Sequence, residues 1–337
     1  MRFSVSRVIG YCMLAVVILP AVLVRGCDWM RPAPRTPPRF AVTVDTGGGQ
    51  LVNMDLEEYI KGVVAAEMPV NFEPEALKAQ AVAARTYAVR RLEQFGGGSD
   101  LAGTSFDEPA GLGIDPKREQ AWVIAARLRA QWGYLNYYRL WKKISKAVEE
   151  TRGEVLVHNG QLINAVYHST SGGPTENSED VWSEYIPYLR SVNCEWDKDS
   201  PRYRETREFS VAEMERLLGV RLNLPAVKAA IAGRSLPGGL LVKARSSTGR
   251  VKEILAGGRL FKGTDFRSRL GLRSTRFSWV VAENQIQITT IGNGHGVGLC
   301  QYGANGLARL GRDYRAILTY YYTGVQIITL QQYMENR

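Results

Sequence analysis

Four cysteines among 337 residues, with no Cys-x-x-Cys pair, exclude a disulfide-dense mini-fold and a zinc ribbon. Three histidines leave little material for a histidine-built metal site. No internal repeat is present, which excludes a solenoid or a propeller. Acidic residues are the scarcer charge, 33 against 43 Lys and Arg, so the chain carries a formal +10. Such a surplus suits a polyanionic neighbour: nucleic acid, an anionic membrane surface or an anionic wall polymer. Hydrophobic residues make up 45% and charged residues 23%, the balance of a folded chain rather than a disordered one.

Charge is missing altogether from Val8 to Val24, a run of 17 residues flanked by Arg2 and Arg7 on one side and by Arg25 and Arg31 on the other. A run of this length can cross a bilayer as a helix. Residues 1–30 therefore read as a cytoplasmic tip and a transmembrane signal anchor. No small-x-small cleavage site follows, and Arg25 fits poorly in a lipoprotein box ending at Cys27; a cleaved signal and a lipidated cysteine are the alternatives. The flanking arginines do not decide the orientation. The long remainder of a simple N-terminal anchor usually lies outside the cell. Residues 31–39 set four prolines between arginines and read as a stiff, extended spacer. The folded part is expected to span 40–337.

Within it, Phe40 to Val44 alternates and is followed by a Gly-rich turn, a short hairpin pattern. Residues 55–68 read as a helix, with Asp55 as cap, Glu58 completing a capping box and Pro69 stopping it. A second helix is predicted from Pro74 to about Glu93. Residues 96–120, rich in Gly, Asp, Ser and Pro, read as a loose, flexible surface arm. From 120 to 150 aromatic and basic residues recur at helical spacing, a pattern of packed helices. Asn159-Gly160 is a hairpin-turn signal between two strand patterns. A short helix over 211–218, several Val/Ile/Leu-rich strands, helices near 303–310 and 313–322 and a strand over 325–330 complete the pass. Helices and strands mix without a strand–helix–strand rhythm. The predicted class is α+β, with mixed helices and irregular antiparallel strands around one groove.

One carboxylate is oddly placed. Leu56, Tyr59, Ile60, Val63 and Val64 form the apolar face of the first helix, and Glu67 falls on the same stripe at its last turn. Burial there disfavours the charged form and raises the pKa, as a general acid requires; the bland alternative is that Glu67 turns to water or pairs with an arginine. Arg85 borders a narrow, small-residue face of the second helix, placed either to pair with Glu67, to hold a polar substrate group, or to sit as an ordinary surface arginine. Two loops, 168–182 and 292–303, combine glycines with His168, Ser171, His295, Gln301 and Tyr302. These side chains suit hydrogen bonding to sugar hydroxyls at close backbone range, and the two loops are expected near Glu67. The alternative is structural, with the histidines satisfying buried carbonyls. Neither loop has a phosphate-binding or dinucleotide pattern, and Ser169 and Ser171 sit in no nucleophile elbow.

Val63-Val-Ala-Ala-Glu-Met-Pro69, Glu75 to Ala88, His168-Ser-Thr-Ser-Gly-Gly173, Glu176 to Trp182, Leu270 to Thr275, and Gly294-His-Gly-Val-Gly298 with Gln301-Tyr-Gly303 together resemble the SpoIID/LytB family, in one order from about residue 40 to 330. The resemblance implies a lytic transglycosylase of peptidoglycan. Such an enzyme cuts between N-acetylmuramic acid and N-acetylglucosamine in strands stripped of stem peptides, leaving a 1,6-anhydro-muramic end. It implies Glu67 as the catalytic residue and a role for Arg85. It implies as partners an amidase, SpoIIP, and a membrane protein, SpoIIM, in engulfment of the forespore, with no nucleic acid involved. The place it implies is the mother-cell membrane, with the folded part facing the intermembrane space. Its rivals are a silent wall-binding module, an activator of an N-acetylmuramoyl-L-alanine amidase, or an ordinary glycoside hydrolase.

The chain also departs from the family pattern. Some relatives bind zinc through histidine and cysteine around the His-x-x-Ser-Gly-Gly loop, and here those cysteines are missing, so no metal and no cofactor are expected. Relatives usually carry serine where Cys300 stands. Cys194 and Cys300 face an oxidising compartment, where pairing is open to them; free thiols are the expectation carried forward. Tyr185, Tyr188 and Trp196 offer aromatic faces to sugars or to the core.

Overall fold

The computed structural model describes residues 40–45, 51–94, 111–113, 120–231, 238–282 and 285–337. The expected anchor and spacer, residues 1–39, lie outside the described residues. No helix among those described is long and apolar enough to cross a membrane.

The chain begins with the expected hairpin: β1 (Ala41–Asp45) pairs antiparallel with β2 (Leu51–Asp55), Ala41 opposite Asp55. Strand β2 runs straight into α1 (Leu56–Glu67), and Asp55 Oδ1 caps it by accepting the Glu57 N–H at 2.9 Å. The predicted capping box does not form, because Glu58 pairs with Lys61 instead. Pro69 ends α1, and α2 (Pro74–Gln94) starts on the proline that follows the turn.

Part of the segment read as a loose arm forms a strand. Strand β3 (Gly111–Gly113) pairs parallel with β1, and Gln120 is buried; residues 95–110 and 114–119 lie outside the described residues. Next come α3 (Ala125–Trp132) and α4 (Tyr134–Glu149), then β4 (Glu154–His158) and β5 (Gln161–Leu162). Asn159 and Gly160, both at positive φ, make the tight turn between these strands. Strand β6 (Tyr167–His168) leaves that hairpin, and α5 (Ser178–Trp182) follows.

A β-rich stretch comes next: β7 (Arg204–Ser210), α6 (Val211–Leu218), α7 (Leu224–Ile231), β8 (Leu240–Arg245), β9 (Val251–Ala256), β10 (Arg259–Lys262), α8 (Gly263–Leu270), β11 (Phe277–Ala282) and β12 (Gln285–Ile291). Helices α7 and α8 stand where only strands were expected. The chain closes with β13 (Leu299–Cys300), α9 (Gln301–Arg309), α10 (Tyr314–Tyr321), β14 (Gln326–Thr329) and α11 (Leu330–Glu335).

Pairing is antiparallel apart from β1 with β3 and β6 with β13. The expected mixture of helices and irregular antiparallel strands is what the chain forms. Two hydrophobic cores result. The first packs α1, α2, the β4 hairpin and α9–α10 around Tyr59, Leu77, Val82 and Tyr321. The second, around Phe209, Ile254, Phe266 and Ile286, belongs to residues 209–288 and is closed by the sheets β11-β12-β7 and β10-β9-β8.

Candidate active site

Helix α1 buries its apolar face with Tyr59, Ile60, Val63 and Val64 fully inside, and this delivers Glu67 to the wall of the first core at the helix C-terminus. No basic residue occupies the last turn. The carbonyl end of the helix dipole and the surrounding burial both oppose a negative charge here. Three groups counter them: the Ala121 N–H donates to Glu67 Oε1 at 2.9 Å, and the Gln301 amide and the Tyr167 hydroxyl stand within hydrogen-bonding reach. Burial outweighs the three, and the Glu67 pKa is raised above the usual carboxylate value. Tyr167 is itself held by Gln120, whose Oε1 accepts its hydroxyl at 2.9 Å while Nε2 donates to Ala84 O on α2.

Glu67 opens onto a groove of about 510 Å³, a size that accommodates part of a sugar chain. Its walls include Asn71 from the turn between α1 and α2, Trp132 at the end of α3, Ser169, Arg202, and Gln301 and Tyr302 from the first turn of α9. Among the described residues that line it, Glu67 is the sole carboxylate and Arg202 the sole cation. Helix α9 is fixed against α2 by Asn305, whose Oδ1 accepts the Glu73 N–H at 2.7 Å, and by the edge of Tyr302 on Phe72, centroids 4.9 Å apart. A larger hollow of about 710 Å³ by Trp196, Leu310 and Tyr320 has no carboxylate in its wall.

Two of the predicted loop residues, Gln301 and Tyr302, thus share the groove with Glu67. The other four predicted residues line neither hollow. Arg85 is fully buried and pairs with Glu57, not Glu67: its Nε donates to Glu57 Oε1 at 2.9 Å, its Nη2 to Oε2 at 2.5 Å, and its Nη1 to Glu154 O at 3.0 Å. It clamps α1, α2 and β4 together. His168 donates from Nδ1 to Val297 O (3.1 Å) and accepts the Ser171 hydroxyl at Nε2 (2.7 Å). His295 donates from Nε2 to Tyr167 O (2.9 Å) and accepts the Val297 N–H at Nδ1 (3.1 Å). Each ring therefore holds one proton. Burial pushes the His168 pKa well down and that of His295 to about 4. The two rings, 5.4 Å apart, knit the loops to each other behind the groove.

The glycines serve the same seam. A Cβ on Gly298, at φ +70°, would stand 2.2 Å from Val166 O, and one on Gly294 2.7 Å from the His168 Cβ. Arg250 ties the first loop to the second core through Glu176 (3.0 Å) and Ser171 O (2.5 Å).

Tyr167, Gln120, Ala121, Trp132 and Arg202 were not picked out from the sequence as site residues. Tyr167 adjoins His168 at the end of a strand pattern, which is a signal; a backbone N–H such as that of Ala121 leaves none. Tyr185, Tyr188 and Trp196 do not line the groove: Arg190 lies over the Tyr185 ring at 4.2 Å, the Tyr188 hydroxyl accepts the Asn164 N–H, and Trp196 packs on Tyr320. One grouping of metal-ligand type occurs among the described residues, Cys194, Asp197 and Cys300, all buried, with donor atoms within 4.8 Å of one another. It supplies three donors where structural zinc takes four.

A half-buried carboxyl of raised pKa amid amides and a phenol, in an open groove, is an arrangement suited to acid–base chemistry. Comparison with known proteins gives the family. The family model described as SpoIID, stage II sporulation protein, matches residues 45–158. The chain is 40% identical over 304 residues to stage II sporulation protein D of Bacillus subtilis, covering 90% of this chain and 82% of the relative. It is 39% identical over 313 residues to the protein of the same name from Bacillus amyloliquefaciens, covering 93% and 86%. A Bacillus subtilis protein named amidase enhancer is 29% identical over 314 residues, 80% of this chain and 40% of that one. The chain belongs to the SpoIID family of sporulation proteins.

Proposed function

We propose that the protein is a peptidoglycan lytic transglycosylase acting on glycan strands stripped of their stem peptides. The observation that carries the reading is Glu67: one carboxyl whose pKa burial raises, with no second carboxylate among the described residues of its groove. A hydrolase normally flanks the glycosidic bond with two carboxylates. Intramolecular closure needs one. The Glu67 acid donates its proton to the oxygen leaving C1 of N-acetylmuramic acid. The resulting carboxylate then takes the proton of the C6 hydroxyl as that oxygen bonds to C1. The 1,6-anhydro ring forms, no water is added, and Glu67 regains its proton. The Ala121 N–H and the Gln301 amide, which donate to the carboxylate form, stabilise it between the two steps.

The +10 charge suits an anionic wall polymer. The apolar run 8–24 serves as a membrane anchor with the folded part outside the cell, in the mother-cell membrane facing the forespore. SpoIIP, an amidase that supplies stripped strands, and SpoIIM, a membrane protein, are the partners in engulfment. The test is to digest peptide-stripped strands and weigh the products. Anhydro-muramic ends are expected; reducing muramic ends alone, heavier by one water, would replace this reading with hydrolysis.

A second reading has one observation in its favour, the relative named amidase enhancer. In it the groove binds glycan without cutting and the protein activates an amidase. Intact strands together with a faster amidase in the same digestion would select it.

A further inference from the structure

Cys194 and Cys300 are both fully buried, and their sulfurs lie within 4.8 Å of each other. They come from opposite sides of the β-rich stretch: Cys194 ten residues before β7, Cys300 at the end of β13. Cys300 also caps α9, its sulfur accepting the Gly303 N–H at 3.4 Å. The close approach depends on that glycine. A Cβ at Gly303 would stand 2.4 Å from the Cys194 sulfur and 3.3 Å from the Cys300 Cβ. As free thiols the pair are weakly engaged, Cys194 with the Tyr321 hydroxyl at 3.3 Å and Cys300 with Asp197 Oδ2 at 3.5 Å. Asp197 Oδ2 also accepts the Gly172 N–H at 2.8 Å, while its Oδ1 is buried with no hydrogen-bond partner.

We propose that Cys194 and Cys300 form a disulfide that staples the root of the second core to the wall of the groove. That the bond forms in the cell rests on the reading that the folded part lies outside the cell membrane, in an oxidising compartment. To form the bond the two sulfurs close from within 4.8 Å to about 2.05 Å. The two thiols give up two protons and two electrons to an external disulfide, whose S–S bond breaks into two thiols as the Cys194–Cys300 bond forms through a mixed disulfide. Exchange takes place during folding, before both sulfurs are enclosed. Once closed, the bond encircles residues 195–299 and with them the whole of β7 to β12. It thereby restrains the first turn of α9, which carries Gln301 and Tyr302 beside Glu67. Burial then shields it from reductant.

The test uses the full-length chain. Membranes of the producing cell are denatured in the presence of a thiol-alkylating reagent, and the peptides are mapped by mass. The Cys194 peptide linked to the Cys300 peptide, separating on reduction, is the expected result. In parallel, the purified, fully reduced chain is refolded with oxidised glutathione. It should regain the same link and melt several degrees higher than its reduced form. The Cys194→Ser/Cys300→Ser double variant should melt at one temperature with or without reductant, which removes any contribution of Cys12 and Cys27. The same link in the refolded chain but alkylated thiols in the cell would uphold the bond and overturn the compartment on which its formation in the cell rests. Glutathione on a single cysteine, two free thiols after refolding, or one tightly held zinc ion per chain protecting both thiols would overturn the disulfide.

Discussion

The two ends of helix α1 each carry a buried or half-buried glutamate, and the pair differ in everything but residue type. Glu57 lies in the first turn, where the helix dipole favours a negative charge. It is 4% exposed, doubly bound by Arg85, and also accepts the Gly153 N–H at 3.0 Å. Glu67 lies in the last turn, where the dipole opposes the charge, and neutral donors replace the guanidinium. Glu57, through Arg85, thereby joins α1, α2 and β4. Glu67, its pKa raised by burial, opens onto a groove. The difference shows that burial by itself does not make a catalyst. A guanidinium beside a buried carboxyl favours its anion, whereas neutral donors alone leave burial to raise the Glu67 pKa.

The largest effect that would break the comparison lies at the Glu57 end. Arg85→Met leaves a buried, unpaired carboxylate and should destabilise the protein by about 3–5 kcal/mol, read from denaturant unfolding. Activity per folded molecule should stay near that of wild type. Full stability with lost activity would instead assign Arg85 to the substrate. At the other end, Glu67→Gln keeps shape and hydrogen bonding but removes the proton. Turnover should fall by at least about 10²-fold, roughly 2.7 kcal/mol in the barrier, with glycan binding retained. Activity near wild type would place the acid elsewhere.

The same substitution has a stability signature. Because folding raises the Glu67 pKa, the folded chain holds that proton more tightly than the unfolded one. The contribution is complete below the ordinary glutamate value and is lost as pH rises through the raised value. Glu67→Gln should therefore be more stable than wild type at neutral pH, with the advantage vanishing in acid; equal stability at both would mean that Glu67 is solvated. Activity that needs the protonated acid falls as pH rises through the same value. Gln301→Ala removes a bond that favours the charged form. The alkaline limb should then move up by about one unit, the worth of one hydrogen bond to a charge. A limb that moves down would show that the Gln301 amide holds the neutral acid.

The smallest effect concerns the part of the chain outside both ends. Deleting residues 1–30 should leave melting temperature and activity on soluble stripped strands unchanged while releasing the protein from membranes. An aggregated or unfolded product would move the domain boundary away from Phe40.

Much of this was open to reading without coordinates. The period of the apolar residues in 56–67 places Glu67 on a buried stripe, Pro69 and Pro74 bound the helices, and Asn159-Gly160 marks a turn; each is a local rule acting within a few residues. The family motifs carried the class. What local rules cannot specify is the partner across the chain. Arg85 bordered the right face, yet only packing chose Glu57, 28 residues away, over Glu67. His168 and His295 looked like ligands for sugar, but the fold spends both ring nitrogens of each on the seam between two loops. The Ala121 N–H on Glu67 comes from a segment with no signal at all. The position of Glu67 is thus a property of one helix and its neighbours in sequence. Its state of charge was decided by tertiary structure, because desolvation and hydrogen-bond partners are set by groups that meet only once the chain has folded.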